Sequence, residues 1–404
     1  MLLFRVFSIP VRFFIALLIY FSWGSLAGGV VTAPVPEFSS PALIPYPSKV
    51  VRGAGEAGFR SVHVKVGSDV PGRDDLMKEI KDIFRTSGIQ GSLNSGGAAE
   101  GAMTWELFPD ARMKGEGYDL SVGLGKATVR AGSFGGFFNA LQTLRQLVFN
   151  REGEFAMPVV RISDKPAFVL RGIMLDVGRY YMSPALIKEV MRRLSRYKIN
   201  TLHLHLTDDP AWRLEVKKYP ALTNGAFHWK SRLPGRFYTQ AQLKDLTDYC
   251  ARLNIQVIPE IDMPGHSQPF ARAMKTGMQT EKGVSILKDV VDEAVSLFPG
   301  RFFHMGSDEA HISMKDFIPR MAEHIRGKGK EVVVWSPGGP HDKDSVLMCW
   351  GENEAGARMD KNMKRIDSNG FYIDWADSQS GVYQVFFQQP CEVPQGDDKA
   401  LGAI

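Results

Sequence analysis

From Ala167 onward, strand-like apolar runs alternate with helical stretches, and this rhythm constrains the fold more than any other feature. Such alternation predicts a parallel sheet, because consecutive parallel strands need a long crossover that is usually a helix. Pro184–Tyr197, with Ser183 as its N-cap, separates the first two runs. Seven runs in one array favour a (β/α)8 TIM barrel over a doubly wound sheet. They are Gly172–Asp176, Thr201–Leu206, Gln256–Asp262, Arg301–Gly306, Glu331–Trp335, Val346–Trp350 and Gly370–Asp374.

The first residues have the features of a secretory signal peptide, predicted over 1–27. Arg5 and Arg12 flank its start, an apolar stretch runs over 13–23, and Ser25-Leu26-Ala27 resembles a small-residue cleavage site. The stretch is too short for a comfortable membrane span. We therefore expect an exported protein without stable membrane insertion.

Between the signal peptide and the barrel, a Pro-rich segment is predicted at 28–48 and a small α+β domain at 49–165, with the barrel at 166–404. Short alternating strands and two helices predict the small domain. Examples are the strands Val62–Val66 and Tyr118–Val122 and the helices Asp74–Thr86 and Phe137–Phe149.

Charge and cysteine content exclude two classes of protein. The formal net charge of +5 falls to +3 without Arg5 and Arg12, a bias too small to indicate a nucleic-acid partner. The three cysteines are too few for a disulfide framework and lack the spacing of metal ligands.

Polar and aromatic residues collect at the ends of the predicted strands. In a TIM barrel these ends converge on one face, where the active site lies. Carboxylates and arginine bind sugar hydroxyls, and Trp or Tyr rings cover the apolar side of a pyranose. Their concentration therefore indicates a sugar pocket. The residues are Asp176, Arg179, Asp208, Asp209, Glu260, Asp262, His266, Asp308, Glu309, Trp335, Trp350, Tyr372 and Asp374.

Six long motifs occur in a fixed order along the chain. They are Leu43–Pro47 and Ala140–Leu147 in the small domain, and Arg171–Arg179, His203–Arg213, Ile258–His266 and His304–Glu309 in the barrel. In these motifs the chain, from about Ala42 to Ile404, resembles the β-N-acetylhexosaminidases of glycoside hydrolase family 20. It departs at Ser307, where a second glycine is usual, and at Pro210-Ala211, where Gln-Gly is usual.

Asp308 and Glu309 carry the chemistry that this resemblance implies. Neighbouring residues of a strand point to opposite sides, so the two acids are not expected to flank a glycosidic bond as facing carboxylates. The resembled family instead uses the 2-acetamido oxygen of the substrate as nucleophile, with retention of configuration. Glu309 would be the general acid and base, and Asp308 would orient the acetamido N–H.

The resemblance also assigns substrate-binding roles. Arg179 and Asp374 would hold the 3- and 4-hydroxyls of the terminal sugar, and Tyr372 would bind the acetamido oxygen. Trp335 and Trp350 would wall the acetamido pocket, while Asp208 and His266 would support the acid. The expected partners are glycans with terminal β-linked N-acetylglucosamine or N-acetylgalactosamine, and no cofactor or metal is expected.

Two rival interpretations come from other classes of protein. His203-x-His205, with His266, His304 and Asp308, is similar to the ligand set of a metal-dependent amidohydrolase barrel. The acid-rich, Trp-lined remainder disfavours that reading, and packed barrel histidines are the simpler explanation of the pair. The second rival is a catalytically dead carbohydrate-binding protein, which the intact Asp308-Glu309 pair disfavours.

The end of the chain gives a last expectation. Ala400–Ile404 reads as the opening of another buried strand, and only seven predicted strands precede it. We therefore expect a truncated sequence whose eighth strand is cut short. Its barrel would be unclosed beside the first and seventh strands, with exposed pairing edges. The alternative is a natural short variant whose last strand comes from a partner or is dispensed with.

Overall fold

The computed structural model describes residues 42–94, 99–151, 153–351, 361–370 and 389–404. The predicted signal peptide lies outside these residues, as do Tyr372 and Asp374. Among the residues described, no helix is both long and apolar enough to cross a membrane.

The first part of the described chain forms an eight-stranded mixed sheet with two helices. The strand order is β1-β8-β5-β6-β4-β2-β3, with β7 pairing to β8. Period-two alternation buries Tyr118, Leu120 and Val122 of β5, as expected for a sheet with one covered face. The strands are β1 Lys49–Phe59, β2 Ser61–Val66, β3 Gln90–Leu93, β4 Ala102–Pro109, β5 Tyr118–Gly123, β6 Lys126–Ala131, β7 Phe149–Arg151 and β8 Glu154–Asp164.

The helices of this part are α1, Arg73–Ser87, and α2, Phe134–Leu147. α2 begins three residues before the predicted start, because the Ser133 hydroxyl accepts the N–H of Gly136 and caps the helix there. It ends at Leu147, where Val148 becomes extended and continues into β7.

The second part is a closed barrel of eight parallel strands, in the order β10-β13-β14-β15-β16-β17-β18-β9. The predicted TIM barrel is therefore confirmed. Its strands are β9 Leu170–Asp176, β10 Thr201–His205, β13 Gln256–Glu260, β14 Phe302–His304, β15 Glu331–Ser336, β16 Val346–Cys349, β17 Arg365–Asp367 and β18 Ala400–Ala403. A short antiparallel pair, β11 Thr207–Asp208 and β12 Ala211–Trp212, follows β10. The helices are α3 Pro184–Ser195, α4 Gln240–Ala251, α5 Gln268–Met274, α6 Glu281–Leu297 and α7 Phe317–Gly327.

The expectation of an unclosed barrel is wrong. β18 pairs in parallel with β17 on one side and with β9 on the other. Gly402 makes the closure possible: its φ is 144°, and a Cβ there would lie 1.9 Å from the Leu170 carbonyl oxygen. Four residues therefore suffice to cover both edges.

Two predicted strand positions also need correction. The seventh barrel strand is Arg365–Asp367 rather than Gly370–Asp374, of which only Gly370 is described. β14 ends at His304, so Asp308 and Glu309 lie in the loop beyond it and not in a strand. The strand-alternation argument about these two acids therefore does not apply, and the loop itself sets their directions.

A cluster of charges joins the small domain to the barrel. Arg145 of α2 and Arg192 of α3 both bind Glu79 and Asp82 of α1, with Arg145–Glu79 at 2.8 Å and Arg192–Glu79 at 2.6 Å. Burial raises the pKa of Asp82, but hydrogen bonds from Arg85, Arg192 and Arg145 outweigh it and hold that pKa well below its usual range. The cluster thus fixes α1 against the first barrel helix.

Candidate active site

A chain of acids and histidines leads from the barrel interior to its mouth; we call it the acid–histidine chain. It consists of Glu260, His205, Asp208, His266 and Glu309. His205 Nδ1 lies 2.6 Å from Glu260 Oε2, and its Nε2 lies 3.0 Å from Asp208 Oδ2. His266 Nδ1 lies 3.5 Å from Asp208 Oδ1, and its Nε2 lies 3.1 Å from Glu309 Oε2. Each imidazole therefore bridges two carboxylates.

The members of the acid–histidine chain set each other's protonation states. Burial disfavours a charged His205, but Glu260 and Asp208 outweigh that cost and raise its pKa well above the usual value. Burial likewise raises the pKa of Asp208, yet hydrogen bonds with His205 and His266 hold it well below its usual range. The hydrogen bond to Asp208 is the main cause that raises the pKa of His266 to about 9. Both histidines are therefore cationic at neutral pH.

Glu260 is the buried anion at the centre of the barrel. It is fully buried and is surrounded by His203 Nε2 at 2.8 Å, His205 Nδ1 at 2.6 Å and the Trp335 indole N–H at 2.7 Å. Burial raises its pKa, but the His205 charge and the hydrogen bond with His205 lower it well below the usual value. Burial instead lowers the pKa of His304 to about 3, and its Nδ1 accepts the N–H of Gly306 at 3.0 Å. His304 is thus neutral.

The loop after β14 gives Asp308 and Glu309 different surroundings. Gly306, Ser307 and Glu309 all have positive φ, at 69°, 90° and 50°. Asp308 is buried, with 8% of its surface exposed, whereas the Glu309 side chain is 55% exposed. Gly306 is required by close approach as well as by φ, because a Cβ there would lie 1.8 Å from Asp262 Oδ1.

Asp308 and Asp262 form an acidic pair inside the mouth. Their ligand atoms and those of His266 lie within 4.8 Å of one another. Burial, followed by the charges of Glu260 and Glu309, raises the pKa of Asp308 to about 7. Burial and Glu260 also raise the pKa of Asp262 well above its usual value. A ligand that brings positive charge or an N–H donor to Asp308 would favour its ionised form.

The other predicted site residues lie around this centre. Arg179 Nη1 binds Asp176 Oδ2 and its Nη2 binds Asp208 Oδ2, each at 2.7 Å. Trp335 lies in the barrel interior, 4.6 Å from the His304 ring between centroids. Trp350 packs against the apolar cluster inside the barrel that includes Trp335. Its buried Nε1–H has no hydrogen-bond partner among the described residues. Arg179, Asp208, His266, Asp308 and Glu309 thus lie together, and Trp335 joins them through its hydrogen bond to Glu260.

The sequence places Glu260 and Asp262 at the strand ends of the predicted sugar pocket but assigns them no role, and it does not place His205 in the site. The signal lay in the register of adjacent strands: His205 of β10 stands directly opposite Glu260 of β13. Paired positions on neighbouring strands project to the same side of a sheet. A buried His opposite a buried Glu at a strand end therefore indicates a bridge, once the register is known.

The residues of the metal-dependent rival do not fall in a single cluster. Among the described residues, the clusters that could hold a metal ion include His203, Glu260 and His304 in one place and Asp262, His266 and Asp308 in another. Each is already committed to other bonds: Glu260 binds Trp335, and His266 binds Asp208 and Glu309. The donor set therefore does not fit the single His-rich metal centre of that rival.

Comparison with known proteins gives a consistent result. The model for glycosyl hydrolase family 20, domain 2, matches residues 40–165, and that for the family's catalytic domain matches residues 168–314. A β-hexosaminidase of Porphyromonas gingivalis is 32% identical, over 65% of this chain and 41% of that protein. One of Akkermansia muciniphila is 30% identical, over 66% and 65%.

Solved structures share the fold as well. The Streptomyces plicatus N-acetyl-β-hexosaminidase in complex with Thio-NAglucal is 26% identical, with a TM-score of 0.77 over 89% of this chain and 84% of that one. The chain spans about half the length of curated relatives that it matches, with shares of 41%, 58% and 49% for three of them.

Proposed function

The chain belongs to glycosyl hydrolase family 20, and from this premise we propose that it is an exo-acting β-N-acetylhexosaminidase. It would remove terminal, non-reducing β-linked N-acetylglucosamine or N-acetylgalactosamine with retention of configuration. One observation carries the proposal: two adjacent acids have opposite environments, Asp308 buried beside Asp262 and Glu309 exposed and held by His266.

Glu309 is the general acid and base of the proposed reaction. His266 is cationic and lies with Nε2 at 3.1 Å from Glu309 Oε2, which leaves Oε1 to carry the proton for the leaving oxygen. After the aglycone departs, the same carboxylate accepts a proton from the attacking water. The acid–histidine chain behind His266 keeps the imidazole oriented between the two steps.

Asp308 assists the substrate's own nucleophile. The 2-acetamido oxygen attacks the anomeric carbon as the glycosidic bond breaks, and the ring nitrogen of the resulting oxazolinium ion gains positive charge. Burial of Asp308 in a poorly solvated site makes its negative charge effective against that developing charge. Water then opens the oxazolinium ion at the anomeric carbon, and the β-configuration is restored.

The remaining residues bind the sugar. Arg179 would hold the 3- and 4-hydroxyls together with Asp374, and Tyr372 would donate to the acetamido oxygen. Trp335 and Trp350 would wall the acetamido pocket, and the Nε1–H of Trp350, which has no partner among the described residues, offers a donor there. We also propose that residues 1–27 direct export, and that the natural partners are N-acetylhexosamine-containing glycans.

The test uses p-nitrophenyl β-N-acetylglucosaminide and the matching β-glucoside. Hydrolysis of the first and very poor turnover of the second are expected, because only the first supplies the nucleophile. Glu309→Gln should lower kcat by about 10²–10⁴-fold, and less for leaving groups that need little protonation. Comparable turnover of the plain glucoside would refute the mechanism, and loss of activity on chelation would favour the metal-dependent rival.

A further inference from the structure

A basic loop lies beside the proposed active site. We use this name for Trp229–Arg236, with the sequence Trp-Lys-Ser-Arg-Leu-Pro-Gly-Arg, which contains three cations and no acid. A fourth cation, Arg272 of α5, adjoins it through hydrogen bonds to Phe227 O and Gln268 Oε1. Over the ranges that the structure describes, none of these four cations forms a salt bridge, whereas Arg193, Arg320 and Arg326 on the barrel helices each pair with an acid.

The loop is held firmly at the mouth. Arg213 is fully buried and donates to the carbonyl oxygens of Arg232 at 2.7 Å, Leu233 at 3.0 Å and Arg236 at 2.8 Å. The same guanidinium donates to Val177 O, just beyond β9, at 3.0 Å. The loop is therefore tied to the strand end that also carries the sugar-binding Arg179.

Two side chains of the loop are positioned next to site residues. The Arg232 guanidinium lies 4.2 Å from the ring centroid of Tyr180, which follows Arg179. Trp229 is 39% exposed, although its indole N–H is bound to Gln268 Oε1 at 3.4 Å. Gln268 is two residues beyond His266, the histidine that holds Glu309. An aromatic ring is thus fixed and accessible on the general-acid side of the mouth.

The leaving sugar must pass this surface. The general acid protonates the oxygen of the scissile bond, so the aglycone lies on the side of Glu309. On that side Trp229 offers an apolar surface for a pyranose ring, and Arg232 and Arg272 offer guanidinium groups that match an anion. The leaving sugar would therefore meet both the Trp229 ring and the two guanidinium groups, which have no salt bridge among the described residues.

We propose that Trp229, Arg232 and Arg272 form a subsite for the leaving sugar that favours an aglycone bearing a carboxylate or sulfate group. This proposal rests on the proposed function, because it locates the aglycone by the role of Glu309. It adds a substrate class: β-linked N-acetylhexosamine attached to an acidic sugar.

Matched disaccharides test the preference. β-1,4-linked N-acetylglucosamine attached to N-acetylglucosamine is the neutral substrate, and attachment to glucuronic acid or N-acetylmuramic acid gives the carboxylates. The neutral disaccharide sulfated at O6 of its reducing sugar separates sulfate from carboxylate. We expect KM about three- to tenfold lower for at least one anionic class, because two partly exposed ion pairs contribute that much. The difference in KM should shrink as the salt concentration rises to about 0.5 M, because the Debye length is then only a few ångströms and exposed charges are screened.

Variants assign the effect to the named residues. Arg232→Gln with Arg272→Gln should equalise KM for anionic and neutral disaccharides, with kcat on p-nitrophenyl β-N-acetylglucosaminide unchanged. Trp229→Ala should raise KM for all the disaccharides, because it removes binding shared by ground and transition states. Arg193→Gln, at an exposed arginine of α3, is the matched control and should change nothing. Thermal midpoints of all variants check folding.

The outcomes separate this inference from the function on which it rests. If the chromogenic N-acetylglucosaminide is not hydrolysed at all, the proposed function fails and the subsite fails with it. If it is hydrolysed but neutral and anionic disaccharides have equal KM, only the subsite is wrong. A preference for anions that survives the double Arg variant would also overturn the assignment to Arg232 and Arg272.

Discussion

Replacing Asp308 by Asn should stabilise the protein at alkaline pH while impairing its proposed activity. The substitution removes a carboxyl group whose pKa is raised from 3.8 to about 7 by burial and by the charges of Glu260 and Glu309. A raised pKa means that the folded state binds the proton more tightly than the unfolded chain does. The folded state therefore loses stability as pH rises from about 4 to about 7. Asn keeps the shape and cannot ionise.

The magnitude follows from the difference between the two pKa values. A pKa change from 3.8 to about 7 corresponds to about 4 kcal/mol, at about 1.4 kcal/mol for each tenfold in the binding constant. Relaxation and water penetration make this an upper figure. Because 1 kcal/mol moves the thermal midpoint of a large domain by about 2 °C, the variant should melt up to about 8 °C above wild type at pH 8.

The assay is thermal unfolding of both proteins from pH 4.5 to pH 8.5. At pH 4.5 the carboxyl of the folded wild type is protonated, so the two midpoints should differ least there and should separate as pH rises. Asp119→Asn, at an exposed aspartate of β5, is the control and should show no such trend. On the chromogenic N-acetylglucosaminide, Asp308→Asn should lower kcat far more than it changes KM. A midpoint difference independent of pH would refute the assigned burial cost.

Three further substitutions test other parts of the structure. Ser307→Gly should raise the free energy of unfolding by about 1 kcal/mol, and with it the thermal midpoint, because φ is 90° there and the buried hydroxyl has no partner among the described residues. A lower midpoint would contradict this expectation. His205→Gln should destabilise the fold by about 3–5 kcal/mol, because it leaves Glu260 and Asp208 without their shared cation; an unchanged midpoint in denaturant or heat would exclude that role. Asp82→Asn should cost about 1–3 kcal/mol at pH 7. The contribution of Asp82 is present above pH 3.8 and is lost as pH falls through its lower folded value, so the variant's deficit relative to wild type should narrow towards pH 2.

The barrel could be predicted from the sequence wherever its strands are apolar. β10 and β13 consist mostly of buried residues and were located within two residues of their observed ends. β17 was missed because two of its three residues, Arg365 and Asp367, are charged although buried. Asp367 accepts the N–H of Cys391, which is 24 residues further along the chain, so a partner in a distant segment makes its burial possible. Such partners leave no local pattern.

The residues of the site could be predicted from the sequence, but the hydrogen bonds between them could not. Motifs and strand ends identified Asp208, His266, Asp308 and Glu309, and the structure places all four together. The bridge made by His205 depends on the register between neighbouring strands, which sequence spacing does not determine. The different exposure of the two adjacent acids depends on positive φ values at Ser307 and Glu309. Neither a serine nor a glutamate predicts such a φ.

The turn beyond β14 explains how the neighbouring carboxylates of Asp308 and Glu309 have different surroundings. Ser307 and Glu309 adopt a left-handed backbone that costs each of them about 1–2 kcal/mol, so the surroundings must hold it. Two backbone hydrogen bonds do so: Trp335 N–H donates to Gly306 O at 3.0 Å, and Gly339 N–H donates to Ser307 O at 2.5 Å. Both donors belong to β15 or to the loop after it. The position of Asp308 and Glu309, the proposed catalytic pair, is therefore set by the next barrel strand, the same strand whose Trp335 indole binds Glu260 at the base of the acid–histidine chain.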